Sequence, residues 1–170
     1  MITDTMKKAI NEQINAELWS AYLYLSMSID AEAKVLRGIS NWFYVQWLEE
    51  QDHARILHNY LTDQGVRVEL LPIEKVQKEW DSPLEMFRDT LRHEKKVTDM
   101  IYNLVRLAIK EQDFATLSRL QWFVDEQVEE ERSAADIAVE FDAAGRDYGV
   151  IRDIDDKLAG RKYQKPDILK

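Results

Sequence analysis

Glu17, Glu50, His53, Glu94 and Glu130 are the residues of this chain best suited to chemistry, and each falls on an otherwise apolar stripe. One stripe runs Ile10, Ile14, Glu17, Ala21, Tyr24, and a second runs Ile39, Phe43, Gln46, Glu50, His53, Leu57, Tyr60. A third contains Phe87, Glu94, Val97, Ile101, Leu104 and Ala108; the fourth contains Leu120, Phe123, Gln127, Glu130, Ala134, Ile137 and Phe141. Steps of three and four residues mark the inward face of a helix. Acids on such a face carry a heavy desolvation penalty, and no Lys or Arg lies on these stripes near the Glu positions to offset it. Two remedies remain: the carboxyls stay protonated in a structural polar layer, or they bind metal. Glu50 and His53, three apart, point the same way and can chelate one ion. Carboxylates with an imidazole suit iron, manganese or zinc, whereas calcium prefers oxygen alone.

Long helices are needed to position these groups, and the punctuation of the chain supplies their limits. No Gly or Pro occurs from Thr3 to Ala33, and the helical pattern resumes near Gly38 and runs unbroken to Gln64. Gly65 offers a left-handed stop. Residues 65–81 contain β-branched residues and Pro72 without a helical period, which reads as a long connection. Ser82-Pro83-Leu84-Glu85 is a helix start with a cap, a first-turn proline and a capping-box Glu; that helix should reach about Lys110. Asp113 should cap a fourth helix ending before Gly145, followed by a short helix over about 150–159 and a polar tail over 160–170. Short first and third links make antiparallel neighbours, and the long middle link can return along the bundle. The expected fold is all-α: a four-helix bundle over about 4–144 with one long crossover and a short fifth helix, in a single domain spanning 1–170.

Composition narrows the function. The 170 residues fit one core, with 45% hydrophobic and 32% charged residues. Five Gly and three Pro disfavour an all-β fold, and the absence of Cys removes disulfide scaffolds, thiolate metal sites and Cys nucleophiles. A net charge of −9 argues against nucleic acid as a partner. Neither a leader-type apolar segment nor a membrane-spanning stretch is visible, so no membrane association and a cytoplasmic location are expected.

Several stretches together resemble the non-haem ferritins of bacteria and archaea. They are Asn11-Glu12-Gln13-Ile14-Asn15-Ala16-Glu17, Tyr22-Leu23-Tyr24-Leu25-Ser26-Met27-Ser28, Glu49-Glu50-Gln51-Asp52-His53-Ala54, Glu79-Trp80-Asp81-Ser82-Pro83-Leu84, His93-Glu94, and residues 120–131 with Gln127-Val128-Glu129-Glu130. The resemblance implies a first iron position at Glu17, Glu50 and His53. It implies a second, sharing Glu50, at Glu94 and Glu130 with Gln127 nearby, and it places Tyr24 beside this dinuclear iron centre. It further implies a third iron site at Glu49, Glu126, Glu129 and Glu130; independently, 126, 129 and 130 share one helical face.

Departures separate the relatives. The fourth helix lacks the second Glu-x-x-His of bacterioferritins and rubrerythrins. No Met occurs between Met27 and Met86 for a bacterioferritin-type haem, so no haem is expected, and the lack of Cys excludes a rubrerythrin iron domain. The implied function is an iron-storage ferroxidase that oxidises Fe(II) with O2 and self-assembles into a cage of 24 subunits. A di-iron or di-manganese oxidase acting on another substrate or on peroxide, and a non-enzymatic metal buffer, are the alternatives. Trp19, Phe43 and Tyr44 are expected to serve assembly from the outer face. His93, turned about 100° from Glu94, reads as partly exposed or at an interface.

Overall fold

The computed structural model describes residues 2–169. Among these residues the chain forms helices α1 (Asp4–Ala33), α2 (Arg37–Asp63), α3 (Pro83–Glu111), α4 (Phe114–Ala144) and α5 (Tyr148–Leu158), then a 3-10 turn at Asp167–Leu169, and no strand. None of the helices is long and apolar enough to cross a membrane.

Side-chain caps fix most of the starts. Thr3 accepts from the Met6 amide at 3.1 Å, Ser82 from Glu85 at 3.2 Å and Asp113 from Thr116 at 3.0 Å. The Glu85 carboxylate turns to Arg88, and Ser82 carries the observed cap. Helix α5 starts two residues earlier than expected, because Asp147 accepts from the amides of Gly149 and Val150. Gly65 sits at φ 72°, as the stop after α2 requires.

Helix α2 is the exception. Its N-cap, Leu36, supplies no side-chain bond. Instead the buried Asp155 carboxylate of α5 accepts from the Ile39 amide at 2.8 Å. Gly38 lies in the first turn of α2, and a Cβ there would come within 1.6 Å of the Asp155 carbonyl oxygen. Its role is therefore close approach to α5. The reversal before α2 is made by Val35 at φ 61°.

Helix α1 packs chiefly along α2 and α3 along α4, giving two hairpins joined by the segment 64–82. That crossover is tied to α1. Asn11 donates to the Glu69 carbonyl and accepts from its amide, Ser26 donates to Gln77, and the buried Asp30 accepts from the Trp80 amide. The topology is the expected one-crossover bundle.

Two separate apolar clusters make the core. Ile10, Ile14, Leu57, Ile101, Leu120 and Phe123 belong to one; Tyr24, Met27, Phe43, Phe87 and Phe141 belong to the other. The polar positions of the four stripes fall between them. Phe43 is fully buried, with its ring centroid 5.0 Å from that of Phe87, so it packs the core and cannot face a neighbouring subunit. Tyr44 is exposed, and Trp19 is half-buried against His93.

Candidate metal centre

Four helices bring the stripe residues into one water-excluded layer. Glu17 comes from α1, Glu50 and His53 from α2, Glu94 from α3, and Gln127 and Glu130 from α4; all are buried, as is Tyr24. One turn of helix separates Glu50 from His53, which sets Glu50 Oε2 3.3 Å from His53 Nδ1. Single ligand atoms of Glu17, Glu50 and His53 all lie within 4.8 Å of one another. A second trio at the same spacing is His53, Glu126 and Glu130. Glu94 belongs to neither trio: Tyr24 donates its hydroxyl to Glu94 Oε1, and Gln127 Nε2 donates to Glu94 Oε2 at 3.1 Å.

The layer is short of positive charge. Burial, reinforced by the Glu50 charge, pushes Glu17 up to about 8. Burial and the Glu130 charge push Glu94 to about 8, against the hydrogen bonds from Tyr24 and Gln127. Glu50 is held well above the usual carboxylate range by burial and by the charges of Glu94 and Glu130. Several acids with a shared low-dielectric environment retain protons until a cation replaces them. Glu17 Oε2, Glu50 Oε2 and Gln46 Oε1 are buried without a hydrogen-bond donor. Orphaned acceptors of this kind are rare in folded proteins, and a bound cation satisfies them. The donor set, hard oxygens with one imidazole, fits first-row divalent metals.

The remaining expected ligands lie on the rim. Glu49, Glu126 and Glu129 line a cavity of about 800 Å³ beside His53 and Trp122. Glu126 Oε1 is 4.0 Å from His53 Nε2; burial holds the Glu126 carboxyl above its ordinary pKa, against the opposing pull of His53. Burial also raises Glu49 to about 7, although Arg161 is paired with it at 2.5 Å. Glu49 and Glu129 complete neither trio. Trp122 stands edge-on to the imidazole of His53, with ring centroids 5.4 Å apart. His93 belongs to neither trio: it lies 2.7 Å from Ser20 Oγ with its ring centroid 6.0 Å from that of Tyr24, and burial and Lys96 lower it to about 4, so it is neutral at physiological pH.

The sequence reading assigned no role to some supporting residues, although Gln46 already stood on the second stripe. Gln13 donates to Glu17 Oε1 at 2.8 Å, and Gln46 to Glu130 Oε2 at 2.8 Å. Gln13 sits four residues before Glu17, and Gln46 four before Glu50, a spacing that puts each pair on one face. Arg161, on the tail, had no local signal.

Comparisons with known proteins agree with this architecture. The ferritin family pattern, described as a ferritin-like domain, matches residues 7–144. A bacterial non-heme ferritin of Bacteroides fragilis (strain 638R) is 40% identical over 161 residues, covering 95% of this chain and all of that protein. Another bacterial non-heme ferritin, from Staphylococcus aureus (strain USA300), is 37% identical over 131 residues, or 77% of this chain and 79% of its own. An open-pore ferritin from the hyperthermophilic archaeon Archaeoglobus fulgidus superposes with a TM-score of 0.94 at 45% identity, covering 95% of this chain and 100% of that one. With buried acids and one His set in a one-crossover bundle, and relatives of this similarity along nearly its whole length, the chain belongs to the ferritin family.

Proposed function

We propose that the protein is an iron-storage ferroxidase whose substrates are Fe(II) and O2. The observation that carries this reading is the buried layer itself: acids from four helices, one imidazole, orphaned acceptor atoms and no buried cation among them. One Fe(II) would bind Glu17, Glu50 and His53. A second would bind Glu94 and Glu130, sharing Glu50, with Gln127 at its edge. Each ion gives one electron, and the pair reduces one O2 with two protons to hydrogen peroxide.

The chain's part in this is positioning. Glu50 holds both ions at a distance that lets one O2 meet both. Tyr24 and Gln127 fix the Glu94 carboxylate before an ion arrives. Glu17 and Glu94 release their protons as the ions bind. Fe(III) then passes by the outer acids Glu126, Glu129 and Glu49, the proposed third site, toward a ferric mineral. A homo-oligomeric cage of 24 subunits in the cytoplasm, with no haem, completes the reading. An acidic chain gives such a cage a field that draws in cations.

Purified protein supplied anaerobically with Fe(II) and then exposed to air should develop ferric absorbance within seconds. Sizing should place the particle near half a megadalton. Iron retained per subunit should far exceed what the buried ligands can hold. A small particle retaining two or three ions per chain would rule out storage.

A further inference from the structure

We infer that Arg161, on the C-terminal segment, is a built-in counter-cation of the outer carboxylates that keeps metal binding at the third site weak. The inference rests on the dinuclear reading above and concerns what happens next to it. The 800 Å³ cavity is lined by the acids Glu49, Glu126 and Glu129 on the bundle and, on the tail, by the cations Arg161, Lys162 and Lys165 with one acid, Asp167. Arg161 is the one drawn into contact. Its Nη2 lies 2.5 Å from Glu49 Oε2, and its Nη1 donates to the Trp42 carbonyl at 3.3 Å. The guanidinium carbon stands 4.5 Å from the centroid of the Trp42 ring.

This contact is built rather than incidental. Asn41 donates to the Arg161 carbonyl at 3.0 Å, Tyr163 donates its hydroxyl to the buried Asp52, and Leu169 packs on the core. The tail is thus pinned to α2 on both sides of the guanidinium. An ordinary exposed ion pair loses most of its energy to side-chain entropy and solvent screening. Here the side chain is immobilised on an aromatic face and half-buried with its partner, so both losses are reduced. An ion arriving at the outer acids must share Glu49 with a fixed positive charge or expel it. Either way its affinity falls, and an ion that binds weakly moves on.

The test uses the full-length apo-protein and Zn²⁺, which is redox-inert, followed by calorimetry. Wild type should bind two Zn²⁺ tightly and a third weakly. Arg161→Gln should tighten the third by roughly tenfold or more and leave the inner two unchanged. Arg161→Lys, which keeps the charge, should stay near wild type. A third affinity unchanged in Arg161→Gln, or no third ion in either protein, overturns the inference while the dinuclear reading stands. Equal shifts in the Gln and Lys variants also overturn it, because they would show that Arg161 anchors the tail without acting through charge. Absence of the two inner ions in wild type would overturn the dinuclear reading, and this inference with it.

Discussion

Glu50 Oε2 and His53 Nδ1 stand 3.3 Å apart on α2, both shut away from solvent, and no donor satisfies that Glu50 oxygen. With Glu17 they bring three ligand atoms within 4.8 Å of one another, a spacing that could hold one cation. Glu50 is also the acid that both proposed iron positions share.

Glu50→Ala should therefore slow Fe(II) oxidation by at least about 100-fold, since even residues behind a ligand shell commonly matter 10–100-fold. The apo-protein should be as stable as wild type or more so, because the change removes a buried acid whose Oε2 has no donor and which repels Glu94 and Glu130. Stopped-flow absorbance and thermal melting check the two halves. Oxidation at the full rate would refute the shared-ligand role.

The pH dependence has a definite sign. Glu17 and Glu94 titrate near 8 and Glu49 near 7 in the folded chain, against about 4.5 when unfolded. Between those limits the folded state holds more protons than the unfolded one, so apo stability should fall as pH rises from about 4.5 to about 8. Metal removes the difference by displacing the protons. The melting temperature of apo-protein should drop across this window, and that of Zn²⁺-loaded protein should drop much less. A flat or rising apo curve would count against the layer as described.

The two iron positions should differ in affinity. Glu17, Glu50 and His53 reach chelating spacing and include the imidazole, whereas Glu94 is engaged with Tyr24 and Gln127. Nitrogen ligands raise affinity for first-row divalent ions. The position at His53 should fill first. The double variant Gln127→Glu with Glu130→His should bring the affinities together, keep oxidation of the first two ions and slow it thereafter. Two equal sites in wild type by calorimetry would contradict this.

Gly38→Ala tests the joint between α2 and α5. Its Cβ would collide with the Asp155 carbonyl and unseat the carboxylate that caps Ile39. A loss of about 3 kcal/mol in urea melts is expected, with Zn²⁺ binding at the inner layer retained. A variant as stable as wild type would show that α5 shifts without cost.

Much of this was legible in the chain. Scarce Gly and Pro, together with Ser82 and Asp113 as caps, bounded the helices to within a residue or two. Interrupted stripes identified Glu17, Glu50, His53, Glu94 and Glu130, because a helical period reports which side chains turn inward. The same period already set Phe43 on the inward stripe, and its burial there overturns the separate reading of it as an outer-face aromatic, a place that Tyr44 does occupy. Nor could it reveal contacts made across the fold. Asp155 capping α2, Gly38 as a point of approach, and Arg161 on Glu49 each join residues more than a hundred positions apart. Gln46 stood on the inward stripe without a partner that the sequence could name, and Gln13 lay off the first stripe as it was read, so neither donor role was legible.

The carboxylate layer is also the seam between the two hairpins. Glu17, Glu50 and His53 belong to the first 63 residues, while Tyr24 reaches Glu94, and Gln46 reaches Glu130, only across the joint. Contacts within each hairpin close short loops; those between hairpins must wait for the long crossover. Glu17 meets Glu50 inside the first hairpin and Glu94 meets Glu130 inside the second, while the repulsion of Glu50 with Glu94 and Glu130 arises only where the two halves join. The proposed ligands are thus also the groups whose mutual repulsion opposes the joining of the two halves, so a bound cation would favour assembly of the bundle as well as oxidation.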